Sequence, residues 1–250
     1  SGLKDTLGDG IGDGTEAAKA IMTTDTVSKE AAVSILFSDG KNATLGGCCK
    51  GSGMIHPNMC TMLCFLTTDA CISKEMLQKA LSEVVPDTFN MVSVDGDTST
   101  NDTCLLLSNG LAGNRKITEE NEDYAAFKEG LLAICTRLSK SMAKDGEGAT
   151  ALFEVRVLHA ASKEDAKILA RPVVSSTLTK AAISGHDANW GRILCALGYA
   201  GVSFDPDKVD LYFKSSAGSL MILYNGVATG YSEEEATEIL SQDEITALVD

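Results

Sequence analysis

Two periodicities take turns along this chain. Short apolar runs at 30–37, 42–46, 61–66, 89–94, 103–107 and 153–157 predict strands. In the last of these Phe153, Val155 and Val157 alternate with Glu154 and Arg156, so one face is polar. Stretches of helical spacing lie between the strands. The longest opens at Thr118, with Glu119 and Glu120 placed where carboxylates favour the positive end of a helix. Tyr124, Phe127, Leu131, Ile134 and Leu138 then recur at three–four spacing and make its apolar face. Thr15 predicts the cap of a short helix reaching Ile21, and Ser73 the cap of a helix through Val84 that Pro86 ends. Ser162 with Asp165 resembles a capping box for a helix interrupted by Pro172, and a further helical run covers 173–183. Asp187 or Asn189 starts another helix ending at Gly198. Strands at 209–213 and 219–223 flank the hairpin signal Ala217-Gly218, Ser232 with Glu235 caps a helix through Leu240, and a final strand reaches Asp250. Asp39-Gly40 marks a turn between the first two strands. No internal repeat or linker breaks the alternation, so the expected fold is a layered α/β arrangement of mixed sheets with helices.

Composition narrows the function classes. The 250 residues, 44% of them hydrophobic, suffice for one sizeable domain or two closely packed lobes. A net charge of −14 repels phosphate backbones, which argues against nucleic-acid binding. No apolar stretch approaches the roughly 20 residues of a spanning helix, and the N-terminus lacks the basic head and apolar run of a signal peptide. The expectation is a cytoplasmic protein with no membrane partner. Eight cysteines include no C-x-x-C spacing and mostly sit in apolar runs, and the three histidines are scattered. They read as reduced core residues, with no metal site expected. The acidic loop Asp95–Asp102 fails as a calcium hand, since its sixth position is Thr100 and its twelfth Leu106. It reads instead as side chains hydrogen-bonding the backbone of a tight connection.

The candidate chemistry lies between Lys50 and Leu63. A glycine-rich turn (Gly51, Gly53) leads through Pro57-Asn58 to Cys60 and then to Thr61 at the head of an apolar run. A hydroxyl in that place can attack the preceding carbonyl, and hydrolysis of the resulting ester frees an α-amine on Thr61. Such an amine, with an intrinsic pKa of about 7.7–8.0, has the basicity to take the proton of the same side chain. The plain alternative is a core threonine. Lys50, flanked by Cys48-Cys49 and Gly51, reads as partly buried and in need of an anionic partner. Glu147 sits between two glycines that expose its side chain. Thr24 belongs to a run of hydroxyls beside Asp25 that suits a turn or cap. Asn189-Trp190-Gly191-Arg192 reads as structural, and His56 is not needed as a base because the amine fills that role.

These residues also carry a resemblance. Lys50-Gly-Ser-Gly-Met-Ile, Pro57-Asn-Met and Thr61-Met-Leu look like the processing site of the ornithine acetyltransferase (glutamate N-acetyltransferase) family of arginine biosynthesis. Ile21-Met-Thr-Thr-Asp-Thr, Val94-Asp-Gly-Asp-Thr-Ser-Thr-Asn-Asp, Gly146-Glu-Gly-Ala-Thr and Ala188-Asn-Trp-Gly-Arg-Ile follow the family's order across nearly the whole chain. Cys60 stands where the family usually has alanine.

The resemblance implies a DmpA-like α/β fold with an N-terminal nucleophile, Thr61, exposed by cleavage between Cys60 and Thr61. The mature pieces would be 1–60, the end of an α chain, and 61–250, a β chain. It implies acetyl transfer from N2-acetylornithine to glutamate through an acetyl-threonine, with Thr24, Lys50, Thr61 and Glu147 contacting substrate. No cofactor or metal is implied, although some members accept acetyl-CoA as donor, and members assemble as α₂β₂ heterotetramers. The family pattern extends beyond both ends of this chain, and its oxyanion-hole residues precede residue 1. Two alternatives stay open: an amidase or aminopeptidase using the same threonine, and an inactive partial relative serving as an assembly subunit.

Overall fold

The computed structural model describes residues 12–56 and 62–250, and the chain divides between Glu147 and Gly148 into two compact units. The first contains a four-stranded sheet of β1 (Lys29–Leu36), β2 (Asn42–Lys50), β3 (Leu63–Thr68) and β4 (Thr103–Ser108), in that spatial order. β1, β2 and β3 pair antiparallel and β4 lies parallel to β3. The turn at Asp39-Gly40 is made as its composition demands, with Gly40 at φ 79° and its N–H donated to the Phe37 carbonyl at 3.0 Å.

Three helices accompany this sheet: α1 (Asp13–Ala20), α2 (Lys74–Val84) and α3 (Glu122–Lys144). Leu45, Cys64 and Leu66 of the sheet share one core with Phe127, Leu131, Ile134 and Leu138, the apolar stripe read from the periodicity of α3. A glycine allows the helix to come close. A Cβ on Gly130 would lie 2.8 Å from the Ile35 side chain on β1.

Several boundaries differ from the sequence expectation, each for a local reason. α3 starts at Glu122 rather than Thr118, because Ile117 is drawn into a parallel bridge with Ile72 and Asn121 supplies the cap, accepting from the Tyr124 N–H at 2.9 Å. Thr15 is inside α1 and donates its hydroxyl to the Glu30 carboxylate at 2.9 Å instead of capping. The expected strand at 89–94 is absent. The Thr88 hydroxyl donates to the Val84 carbonyl at 2.9 Å, and the chain coils into a tight turn, Phe89–Met91, that buries Phe89. β2 continues to Lys50, beyond the expected 42–46, because its last residues pair with the start of β3.

The second unit contains β5 (Leu152–Val157), β6 (Leu211–Ser215), β7 (Gly218–Tyr224), β8 (Val227–Ala228) and β9 (Glu244–Val249) in the order β5-β9-β6-β7-β8. β5 and β9 are parallel and the remaining pairs antiparallel. α4 (Lys163–Ser175), α5 (Thr177–Ser184), α6 (Trp190–Gly198) and α7 (Glu233–Leu240) belong to this unit. Val173, Ile193, Leu197, Ile239, Leu211, Phe213 and Ala247 form its core. Pro172 does not interrupt α4. Leu169, Ala170 and Val173 are buried on either side of it, and the break falls at Ser176, which caps α5 by accepting from the Thr179 N–H at 3.2 Å. Both sheets mix parallel and antiparallel pairs beside helices, which is the α/β class expected.

The seven cysteines among the described residues are free thiols, and Cys49, Cys64 and Cys135 are buried. Truncating the core tests the first unit directly. Leu131→Ala, at a position with no solvent exposure, should cost about 2–5 kcal/mol in urea unfolding.

Candidate active site

The register of the first sheet gathers one end of three strands. Lys50 of β2 stands opposite Leu63 of β3, which stands opposite Thr103 of β4. Lys50, Met62 and Asp102 therefore come to the same edge. Met62 directly follows Thr61 in the chain, while Thr61 and Cys60 themselves lie outside the described residues.

Lys50 is only 7% exposed, and its ammonium donates to the Thr23 hydroxyl at 3.2 Å. Beyond it the chain turns through Gly51, at φ 146°, and on to Ser52 and Gly53. Ser52 is buried and joins two of the residues singled out from the sequence. Its hydroxyl lies 2.6 Å from the Thr24 hydroxyl, and its carbonyl accepts the Glu147 N–H at 2.7 Å. Gly53 is needed for close approach, because a Cβ there would stand 2.7 Å from the Glu147 carboxylate. Thr24, Lys50 and Glu147, separated by up to 123 positions, thus meet around the four-residue segment 50–53. Glu147 and Thr24 are exposed.

A buried charge cluster fixes these segments. The Lys29 side chain, with no exposed surface, donates to Asp25 at 2.6 Å and to Asp145 at 2.5 Å. Asp25 also accepts the Gly51 N–H at 2.7 Å and the Thr23 N–H at 3.2 Å. Asp145 accepts the Thr26 N–H at 3.1 Å and is further bonded to the Thr26 hydroxyl. Burial works against the charge on both carboxylates. For Asp25 it is outweighed by the Gly51 N–H and Lys29, and for Asp145 by Lys29 and Thr26, so both carboxyls titrate below their ordinary value. The cluster thereby links the residue beside Thr24, the residue beside Lys50 and the residue two before Glu147.

The acidic loop behaves as its composition suggested. Asp95 accepts the N–H groups of Met54, at 2.5 Å, and Ile55, at 3.0 Å, and the Val94 N–H donates back to the Ile55 carbonyl at 2.6 Å. Asp102 accepts the Met62 N–H at 2.9 Å. His56 pairs with the Ser93 hydroxyl at 3.0 Å. In the second unit Arg192 donates to the Leu178 carbonyl at 2.7 Å and Trp190 packs on the core, both structural roles. Among the described residues no group of three His, Cys, Asp or Glu is arranged to hold a metal, and no helix is long and apolar enough to cross a membrane.

Sequence reasoning missed Lys29, Asp145 and Ser52. Asp25 and Lys29 do stand at helical i, i+4 spacing, but Lys29 opens a strand and Asp145 is 116 residues away. Removing the shared cation leaves two buried carboxylates unpaired. Lys29→Met should therefore destabilise by about 3–5 kcal/mol at neutral pH in chemical denaturation. Because both carboxyls are depressed in the folded state, their contribution is full above the unfolded pKa near 3.8 and is lost as pH falls through the lower folded values. Acid unfolding of the Lys29 variant should begin at higher pH than in the wild type, since its carboxyls lose the partner that keeps them ionised.

The ArgJ family profile matches residues 2–250. The arginine biosynthesis bifunctional protein ArgJ 1 of Clostridium acetobutylicum is 51% identical over 233 residues, covering 93% of this chain and 57% of that protein. The ArgJ protein of Thermotoga neapolitana is 45% identical over 250 residues, covering 100% of this chain and 63% of that protein. The chain thus spans less than two thirds of the length of the curated relatives it matches. A crystal structure of the arginine biosynthesis bifunctional protein argJ from Bacillus halodurans is similar with a TM-score of 0.70 and 45% identity, covering 74% of this chain and 85% of that one. The mixed-sheet fold and a profile match over almost every residue agree: the chain belongs to the ArgJ family, whose curated relatives bear the name arginine biosynthesis bifunctional protein.

Proposed function

We propose that this chain contributes the nucleophile and the amino-acid contacts of a glutamate N-acetyltransferase that moves acetyl from N2-acetylornithine to glutamate. The observation that carries the reading is the meeting of a buried cation, Lys50, with the exposed Thr24 and Glu147 around the segment 50–53, at the sheet edge from which β3 leads back toward Thr61. An amino-acid substrate carries a carboxylate and an ammonium. Lys50 suits the first and Glu147 the second, with Thr24 adding a hydrogen bond.

The chemistry begins with maturation. The Thr61 hydroxyl attacks the Cys60 carbonyl carbon, the Cys60–Thr61 amide bond breaks as nitrogen takes a proton, and water hydrolyses the ester. The products are a Cys60 carboxylate and a free Thr61 α-amine, hence a 1–60 piece and a piece starting at Thr61. In the transfer, the α-amine takes the hydroxyl proton as oxygen attacks the acetyl carbon of acetylornithine. The proton passes to the departing ornithine nitrogen. Glutamate's amine then attacks the acetyl-threonine ester, and the threonine oxygen leaves with its proton restored. No resident cofactor or metal is required. Acetyl-CoA as a second donor, α₂β₂ assembly of the pieces and a cytoplasmic location belong to the same reading.

Intact-mass measurement tests the maturation step. The wild type should appear as two pieces divided before Thr61, and Thr61→Ala as one uncut chain with no transferase activity; a split Thr61→Ala protein would sink the reading. Denatured acyl-enzyme should carry one acetyl group on the Thr61 piece after mixing with acetylornithine, and glutamate should discharge it. Release of free acetate at an unchanged rate without glutamate would point to a hydrolase instead. For the substrate contacts, Lys50→Met and Glu147→Gln should each raise KM by tenfold or more in steady-state assays, on the order expected when a charge-assisted hydrogen bond of about 1.5–3 kcal/mol is lost.

A further inference from the structure

Four of the cysteines meet in the core of the first unit. The sheet register sets Cys49 of β2 opposite Cys64 of β3, and Cys64 beside Cys104 of β4. Three thiols therefore stand abreast on neighbouring strands, where in-register side chains point to the same face. Cys49, Cys64 and Cys135 of α3 belong to the buried core, and Cys104 packs against it. None of these thiols takes part in the contacts around segment 50–53, and among the described residues no group of His, Cys, Asp or Glu is arranged to hold a metal.

Two of the four form a pair unlike the rest. The Cys64 thiol hydrogen-bonds to the Cys104 sulfur. Adjacent strands lie about 4.7–4.9 Å apart, inside the roughly 4.4–6.8 Å that a disulfide allows between Cα atoms. Cys64 has no exposed surface, whereas Cys104 is half-buried on β4, the outermost of the four strands, where a small oxidant can reach it. The hydrogen bond from Cys64 holds the Cys104 thiol below its ordinary pKa against the opposing effect of burial. The same bond pushes Cys64 well up, and burial adds to the rise. The thiolate, which is the nucleophilic form, thus belongs to the more accessible sulfur. The other two thiols are poorly placed to react. Cys49 donates to the Leu138 carbonyl at 3.7 Å and is pushed up to about 12 by burial, which raises Cys135 as well.

We propose that Cys104 is a hydroperoxide-reactive thiol and Cys64 its resolving partner, so that the pair closes reversibly into a disulfide between β3 and β4. The Cys104 thiolate attacks one oxygen of the hydroperoxide, and an S–O bond forms as the O–O bond breaks. The departing oxygen takes up the proton that the thiol released and leaves as water or an alcohol. The Cys64 sulfur then attacks the Cys104 sulfur. An S–S bond forms, the S–O bond breaks, and the hydroxide takes the Cys64 proton and leaves as water. The two thiols lose two electrons and the O–O bond gains them. The new bond ties β3 two residues after Met62 to β4 two residues after Asp102, strands joined in the reduced protein by their backbone ladder.

Treating the folded full chain with hydrogen peroxide tests this. Peptide mapping without reductant should find Cys64 joined to Cys104, with the two thiols lost in equal amount and restored by dithiothreitol. Cys104→Ser should lose the linkage and keep the Cys64 thiol under the same exposure. In Cys64→Ala the Cys104 sulfenic acid has no resolving partner, and a 1,3-dione reagent should capture it. Should that core variant not fold, the wild-type map and Cys104→Ser decide between them. Peroxide that oxidises the exposed Cys195 while Cys64 and Cys104 both stay free overturns the proposal. A Cys49–Cys64 linkage overturns it too, as does loss of the Cys64 thiol at an unchanged rate in Cys104→Ser.

Discussion

The candidate site depends on one cation with no access to water. Lys29 holds Asp25 and Asp145 together, and through them the turn carrying Thr24, the bend after Lys50 and the segment running to Glu147. Such a cluster is a weak source of net stability, because desolvating three charges offsets most of their attraction. What it supplies is specificity. With two carboxylates and one ammonium, each with its remaining hydrogen bonds filled by backbone or hydroxyl donors, few other arrangements satisfy every group. Three segments far apart in the chain are thereby held in one relation.

Around this cluster the sheet acts as a ruler. The register that sets Lys50, Leu63 and Thr103 side by side also aligns the segments flanking them. The glycines next to Lys50 serve steric ends. Gly53 leaves room for the Glu147 carboxylate, and Gly51 takes a backbone conformation that other residues rarely adopt. The small residues between Lys50 and Ile55 therefore shape the site, while the cation and carboxylates around them provide its polarity.

Much of this could be read from sequence wherever the signal is local. The apolar stripe of α3, the Ser73, Ser162 and Ser232 caps, the hairpin at Ala217-Gly218 and the turn in which Asp95 accepts the Asp97 N–H each depend on residues a few positions apart. Thr24, Lys50 and Glu147 entered through family likeness, and the structure brings all three to one segment. What sequence could not reveal is set by long-range partners. Asp145 is an unremarkable carboxylate until Lys29 reaches it, Ser52 is a turn serine until Thr24 and Glu147 bond to it, and Thr118 looks like a cap until Ile117 pairs with Ile72. Pro172 misled for the complementary reason: the burial of its neighbours outweighs one missing N–H.

The acidic loop has one more consequence. Asp95 grips Met54 and Ile55 upstream of Pro57, and Asp102 grips Met62 downstream of Thr61, so a single short loop ties down the chain on both sides of the proposed cut. β2 and β3, which would belong to different pieces after cleavage, stay joined by a six-residue ladder. Breaking the backbone there would remove a covalent link without removing the contacts that locate its ends. In mechanical terms the proposed cut would resemble opening a seam between two stitches that both still hold.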